Sequence, residues 1–390
     1  MKLTIVVGGR FHAFDLAYQL QKRKIFFQLI TSYPKFLIKK FNIKLNNTKT
    51  IVIKEFLKRL FDKFFFIKEI FDYDYWLSFY FSKRAANLIN YKKTDIIIGW
   101  SGFSYYSFKN AEKYDCVKVL ERGSSHILHQ VEILNEEYKK LNLKTNLPSK
   151  KTIETELKEY QLADYISVPS EFARKSFLER GFSKEKIIKV PYGVNLENFK
   201  PRLKNELLER KIFTIISTGS ISVRKGSFYL LRAFTELNLP DSQLIFVGSI
   251  DNEFKKILSK FSLIKNVKFY KKQPQNKLCS FYNKADIFVL FSVEEGLSMV
   301  QAQAMACGLP VICTYNTGGS EIVDNGINGF VLPARNIDLL KKKILILHKN
   351  RLLLKKMKNN AHKKARKFLS WNIYGDKMIK LYKKLLIINK

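Results

Sequence analysis

The sequence is poor in three things, and each shortage argues against a class of protein. Only four cysteines occur in 390 residues: Cys116, Cys279, Cys307 and Cys313. None stands in a C-x-x-C pair and no His/Cys cluster has zinc spacing, which favours buried reduced thiols over a disulfide scaffold or a zinc module. Long apolar runs are missing too. No uncharged stretch reaches the roughly 18 residues of a membrane-crossing helix. The apolar run in Met1–Gly9 is too short for a signal peptide and reads as a first buried strand. Acidic residues are the third shortage, with 34 Asp and Glu against 70 Lys and Arg and a formal charge of +36. Cations outnumber acids 36 to 21 in residues 1–200 and 34 to 13 in residues 201–390, so the excess is not a basic tail. Such a field attracts nucleotide diphosphates, anionic lipid surfaces or nucleic acid. Lys, Ile, Asn and Phe are abundant throughout, so compositional bias is an equally good source of the lysines.

What is present is apolar and periodic. Nearly half the residues are hydrophobic and 14% are aromatic, enough for a sizeable core and against wholesale disorder. A chain of this length is expected to form two domains. Short apolar runs alternate with helical patterns, as in parallel α/β structure. In the first half the expected strands are Leu3–Val7, Phe26–Thr31, Ile96–Gly99, Val117–Leu120 and Tyr165–Pro169. In the second half they are Phe213–Thr218, Gln243–Val247, Val267–Tyr270, Ile287–Phe291, Pro310–Cys313 and Gly329–Leu332. Pro191 and Gly193 break regular structure near Val190–Asn195, and a charged stretch follows to Arg210. The fold class is therefore α/β, with two doubly wound, Rossmann-like sheets, over 1–195 and 205–373, facing a cleft at their strand ends. The last helix, 374–390, is expected to cross back to the first domain.

Two segments are basic and amphipathic. Lys54–Tyr75 mixes Phe56, Phe61, Phe64, Phe65, Phe66 and Phe71 with lysines, and Lys377–Lys390 sets Met378, Leu381, Tyr382 and Leu385 among lysines. Such helices either lie in a membrane interface or pack their apolar face on the protein. Packing is the better reading for the second, and the two are even for the first.

Chemistry is concentrated in two strand–turn–helix units. Ser292–Pro310 carries an acid–glycine turn, Glu294-Glu295-Gly296, and then a helix opening near Leu297 or Ser298 and stopping at Gly308. A helix start offers free N–H groups and a positive dipole end, which suits a diphosphate. Glu295 at the mouth of the turn suits sugar hydroxyls. The second unit, Ser217–Gly226, places Arg224 and Lys225 beside glycines, two cations for a diphosphate that gains charge as it leaves. Each feature alone is also compatible with an ordinary βα turn carrying solvated charges.

These residues resemble the retaining glycosyltransferases of family four, glycosyl transferases group 1, with the GT-B fold. The resemblance runs over nearly the whole chain and is strongest in Gly219–Gly226, Phe246–Gly248, Ala285–Gly319 and Glu321–Phe330, with Val190–Asn195, Phe199 and Pro201 similar to the family's hinge. It implies that Glu295 contacts the donor sugar, that Gly296, Leu297, Ser298 and Met299 meet donor sugar and phosphate through their backbone, and that Lys225 binds the diphosphate. Gly219 opens the phosphate loop. Gly8 and Gly9 match the family's N-terminal glycine loop, with Arg10, Phe11 and His12 following it where the acceptor enters. Arg122 and His126, in Glu121–His126, fall where the family has a histidine near the donor sugar or acceptor. Two departures stand out. The family's second glutamate, separated from the first by seven residues, is Gln303, which hydrogen-bonds ribose without a charge. The arginine after the first glycine of the phosphate loop is Ser220, so Arg224 is expected to supply the second cation.

The resemblance thus implies transfer of a hexose from a nucleotide-diphosphate sugar to a glycan or lipid-linked acceptor, with retention and with the leaving phosphate taking the acceptor proton. Glu295, Arg224 and Lys225 carry the chemistry, with neither metal nor cofactor. Envelope polysaccharide synthesis is the expected setting, in the cytoplasm or peripherally at the inner face of the cell membrane, with an anionic membrane surface as partner and no nucleic acid. The alternative is a catalytically weak basic relative that binds membrane or nucleic acid. NAD-dependent hydride transfer is disfavoured because Gly8–Ala13 is not G-x-G-x-x-G. Metal-dependent transfer at Asp72-Tyr73-Asp74 is disfavoured because that pair sits in a helical pattern.

Overall fold

The computed structural model describes residues 1–62, 71–201, 212–261 and 265–389. The strands of the first domain are β1 (Leu3–Val7), β2 (Phe26–Thr31), β3 (Thr48–Thr50), β4 (Ile96–Trp100), β5 (Val117–Glu121), β6 (Tyr165–Val168) and β7 (Ile187–Lys189). Those of the second are β8 (Phe213–Thr218), β9 (Ser242–Val247), β10 (Val267–Tyr270), β11 (Ile287–Leu290), β12 (Val311–Thr314) and β13 (Gly329–Leu332). They build two sheets, in the orders β3-β2-β1-β4-β5-β6-β7 and β10-β9-β8-β11-β12-β13. Every pairing is parallel. Central strands β1, β4 and β11 are buried along their whole length, which is why they read as continuous apolar runs rather than alternating ones.

The expected strand ends shift where proline stood in them. Pro169 falls just beyond β6 and Pro310 just before β12, since neither has an N–H for a ladder bond. β3 and β7 escape the pattern because each has three residues and lies at a sheet edge, with an exposed lysine in its run. Among the described residues the four cysteines are free thiols, with Cys279 and Cys307 Sγ atoms 3.7 Å apart.

The chain crosses between domains twice at one place. Going out, Val194 N–H donates to the Leu369 carbonyl at 2.6 Å and Val194 bridges Ser370. A Cβ at Gly193 would overlap the returning backbone at Ser370–Trp371, so only glycine permits this crossing. The returning helix Trp371–Ile388 packs on the helix Ala13–Lys22, and Arg23 grips it through Asp376 at 2.6 Å and the Asn372 carbonyl at 3.0 Å. Met378, Tyr382 and Leu385 are buried there. The basic stretch at the C-terminus thus turns its apolar face to the protein.

Of the Lys54–Tyr75 stretch, Ile53–Phe61 is helical, and Phe64, Phe65 and Phe66 lie outside the described residues. Lys54 is buried rather than solvated. It donates to the Gly8 carbonyl at 2.6 Å and to Glu55 at 3.1 Å. Asp72 caps the helix Tyr73–Ala86 by accepting from the Tyr75 N–H, and Asp74 accepts from Lys58. No described group of three His, Cys, Asp or Glu side chains comes together in a way that would hold a metal.

Tyr382 is fully buried, and its hydroxyl has no hydrogen-bond partner among the described residues. Tyr382→Phe is expected to stabilise the protein by about 1 kcal/mol, because an unsatisfied buried hydroxyl is removed. Tyr382→Ala is expected to cost about 3–5 kcal/mol. Urea unfolding of both variants checks the pair.

Candidate functional site

The loop after β8, Gly219–Gly226, is shaped by backbone contact. Gly226 lies at φ +62°, and a Cβ there would strike the Phe291 carbonyl. A Cβ at Gly248 would strike the Gly219 carbonyl. The loops after β8, β9 and β11 therefore touch main chain to main chain, bringing Arg224 and Lys225 beside Glu294 and Glu295. Val293 N–H donates to the Arg224 carbonyl at 3.0 Å, and Glu295 N–H to the Asn316 carbonyl at 2.9 Å, which fixes the acidic turn.

The two acids have different work. Glu294 is fully buried. One of its oxygens accepts from the Ser125 N–H (3.1 Å) and hydroxyl (2.7 Å) of the first domain, and the other from Arg224 Nε (2.8 Å) of the second. Arg224 also donates to Ser124 Oγ at 2.7 Å. Glu295 pairs with Lys225, whose Nζ is also 3.4 Å from Ser298 Oγ. Burial opposes the Glu295 charge, but Lys225 and Arg224 hold its carboxyl below the usual range. The helix that follows is Met299–Ala306, one or two residues later than the sequence suggests. Its Ser298 cap makes no side-chain bond, and Gln301 N–H donates to the Ser298 carbonyl at 3.1 Å, so the Met299 and Val300 N–H groups are the ones that face a ligand.

A cleft of about 810 Å³ opens between the domains at this turn. The first domain lines it with Gly8, Gly9, Arg10 and Lys54, and the second with Gln273–Gln275, Ser298, Met299, Val300 and Gln303. Gln303 is oriented from behind, its Oε1 accepting from the Tyr282 hydroxyl at 3.3 Å, which itself pairs with Thr218 at 2.8 Å.

The structure brings Glu295, Arg224, Lys225, Ser298, Met299 and Gln303 together, with Gly8 and Gly9 on the facing wall. Glu295, Arg224 and Lys225 stand beside the cleft through the Lys225–Ser298 contact rather than in its lining, and Gly219, Gly296 and Leu297 do not line it either. Gly219 serves the loop contact. Gly296 is wedged against Gly123 of the first domain, where a Cβ would overlap the Gly123 carbonyl, and its own carbonyl accepts from Ser170 Oγ at 2.6 Å. Leu297 is a core side chain. The expected acceptor residues sit deeper than the sequence suggests. His12 is buried, 3.2 Å from Glu121 and packed on Trp100 and Tyr192. Arg122 is buried in an ion pair with Glu156 at 2.6 Å. His126 caps the helix Ile127–Lys140 by accepting from the Leu128 N–H, and its ring packs among Tyr160, Phe177 and Phe182. That aromatic cluster, spread over residues far apart in the chain, makes His126 structural. Sequence reasoning missed Glu294, Ser124, Ser125 and Ser170. The acid doublet Glu294-Glu295 was the one visible signal, since two adjacent acids in a tight turn cannot both face one ligand.

Burial, then the nearby charges of Arg180 and Arg122, push the His126 imidazole down to about 3. The folded protein keeps this ring neutral where the unfolded chain, titrating near 6.5, takes up a proton. Between those values the unfolded state binds more protons, so stability rises with pH and falls on acidification. Denaturation midpoints across that window are expected to fall as pH is lowered in the wild type. In His126→Asn, which keeps a capping acceptor, the slope is expected to be shallower.

Comparison with known proteins places this geometry. Residues 199–364 match the family model of the glycosyl transferases group 1. A glycosyltransferase of unassigned specificity from Haemophilus influenzae is 30% identical over 194 residues, 48% of this chain and 53% of that protein. The GDP-mannose-dependent alpha-(1-6)-phosphatidylinositol monomannoside mannosyltransferase of Mycolicibacterium smegmatis is 27% identical over 46% of this chain and 51% of its own. The match spans about half the length of these curated relatives. Among solved structures, HepE of Anabaena in complex with UDP superposes with a TM-score of 0.70 at 15% identity, over 98% of this chain and 100% of that one. The two facing parallel sheets are thus a GT-B fold, and residues 199–364 are similar to the glycosyl transferases group 1 family.

Proposed function

We propose that the protein transfers a hexose, with retention, from a nucleotide-diphosphate sugar to a glycan or lipid-linked acceptor, in envelope polysaccharide synthesis. The observation that carries this is the Lys225–Glu295 pair set beside Ser298, the cap of Met299–Ala306, whose first residues line the interdomain cleft. Without donor, Lys225 is held by Glu295. A diphosphate arriving at the helix start gives Lys225 a stronger partner and frees the Glu295 carboxylate for sugar hydroxyls. As the anomeric carbon–phosphate bond breaks, charge on the leaving oxygen is met by Lys225, by the helix N–H groups and by Arg224, whose guanidinium is a third exposed. The acceptor oxygen bonds to the same face of the anomeric carbon, and its proton passes to the departing phosphate oxygen. Gln303 and Gln273–Gln275 are suited to ribose and base. HepE was solved with UDP, and the mycobacterial relative is named for GDP-mannose, so both bases are candidates here.

Lys225→Ala is expected to lower donor turnover by roughly 10²–10³-fold, as loss of one oxyanion-type donor does. Arg224→Ala is expected to lower it by less, and Glu295→Ala to abolish sugar transfer while nucleotide diphosphate still binds. Hydrolysis assays with UDP-, GDP- and ADP-sugars, alongside titration of the three diphosphates, test this. Equal rates for wild type and Glu295→Ala would refute enzymatic transfer, and an inverted product by NMR would refute retention.

A peripheral membrane site is supported by exposed apolar side chains, Phe36 and Phe56 at 69% each with Val52 and Ile53, and by exposed Lys39, Lys40 and Lys44 in the same stretch of sequence. Together they put apolar side chains and cations on one domain. Sedimentation with vesicles containing anionic lipid is expected at low salt and not with neutral vesicles. Binding that Phe36→Ser/Phe56→Ser leaves intact would remove this surface from the proposal.

A further inference from the structure

A second cavity, of about 570 Å³, opens on the other side of Lys225. Its first-domain walls are the start of the helix Tyr73–Ala86, the helix Ile127–Lys140 and the connection Asn146–Ser149. Its second-domain walls are the loops at Ser220–Lys225 and Asp251–Glu253. It is continuous in chemistry with the donor cleft. Asp74 lines both, and Lys225, which lines this one, reaches Ser298 of the other at 3.4 Å. We propose that this second cavity is the acceptor subsite and that it takes the uncharged, hydroxyl-rich end of a glycan rather than a phosphorylated or otherwise anionic group. The proposal rests on the glycosyltransferase reading and moves the acceptor away from the glycine loop and His12.

The lining argues for the class of ligand. Asn146 offers an exposed side-chain amide, Ser149 and Thr152 line the wall with hydroxyls paired to each other at 3.1 Å, and Leu134, Tyr73 and Tyr138 line it with almost no exposed surface. Gln130 is pre-set. Its Oε1 accepts from Arg122 Nη2 at 2.7 Å, so its amide N–H groups are the ones available to the cavity. Asp72 uses Oδ1 to cap its helix at 3.1 Å, while its buried Oδ2 has no hydrogen-bond partner among the described residues. A sugar hydroxyl is the donor that this oxygen lacks. Charge argues the same way. Asp72, Asp251 and Glu253 line the cavity, Glu253 accepting from the Tyr138 hydroxyl at 3.2 Å, and the two cations that share the lining, Arg224 and Lys225, are paired with Glu294 and Glu295. Carboxylates accept from hydroxyls and repel phosphate or uronate. A hydroxyl presented from here meets the anomeric carbon at Lys225 and Glu295, forms the new C–O bond as the C–O bond to phosphate breaks, and loses its proton to that phosphate.

Saturation-transfer NMR on the full chain, with UDP or GDP present and methyl glucoside, galactoside or mannoside as probe, tests the subsite. Signals from at least one hexoside are expected beside those of the nucleotide. Asn146→Trp, at an exposed loop position that fills the cavity, is expected to erase the hexoside signal and keep the nucleotide signal, and Asp72→Asn to weaken hexoside binding about tenfold. Glucose 6-phosphate is expected to bind more weakly than methyl glucoside. Nucleotide signals without any hexoside signal in the wild type, a hexoside signal that survives Asn146→Trp, or tighter binding of the phosphorylated sugar would each overturn the proposal while leaving donor binding standing. Absence of nucleotide signals would instead defeat the glycosyltransferase reading beneath it.

Discussion

The buried Glu294 carboxylate is the contact on which the cleft depends. It has no exposure to water and is held from both sides, by the Ser125 amide and hydroxyl of one domain and by the Arg224 guanidinium of the other. Removing one partner of such a pair leaves an uncompensated charge and typically costs about 3–5 kcal/mol, although the pair as a whole contributes much less than that. Its value is therefore in specifying geometry. With Glu294 fixed, Arg224 lies across the domain boundary with a second bond to Ser124, and the glycine contact of Gly296 on Gly123 follows from the same approach. Other cross-domain bonds reinforce the arrangement: Ser170 to the Gly296 carbonyl, the Glu171 N–H to Glu321, and Arg335 to Glu136 and Glu137.

The neighbouring acid is held differently. Glu295 pairs with a lysine rather than an arginine, and Lys225 is a flexible point charge that can change partners at low cost, whereas the Arg224 fork is bound in several directions at once. Two adjacent acids and two adjacent cations thus divide into one rigid pair that sets the distance between domains and one exchangeable pair that, in the proposed function, meets the donor. The first-domain helix Ile127–Lys140 completes the closed arrangement, because Leu134 and Tyr138 are buried in the core of the second domain rather than in their own.

Much of the architecture was legible because parallel strands buried on both faces leave an unmistakable run of apolar residues, as in Leu3–Val7 and Phe213–Thr218. What escaped were β3 and β7, too short and too exposed to carry a pattern. At the site, glycine-bearing turns after strands marked the loops correctly, since only glycine allows the main-chain contacts at Gly226 and Gly248. Side-chain roles were less legible. Whether Glu294 or Glu295 faces the ligand depends on Ser125, more than a hundred residues earlier, and whether His126 meets solvent depends on Tyr160, Phe177 and Phe182. Such long-range contacts have no local signature in a single sequence.

The helix Trp371–Ile388 also sets the order in which the protein can be finished. It buries Met378 and Tyr382 against a domain whose first strand begins at Leu3, so the first and last parts of the chain share one core. During synthesis, at about 5–20 residues per second, the first domain emerges early and must wait with the face of Ala13–Lys22 uncovered while the whole second domain is made. That apolar face is open to chaperones or to neighbouring nascent chains until the helix Trp371–Ile388 has emerged and docked on it.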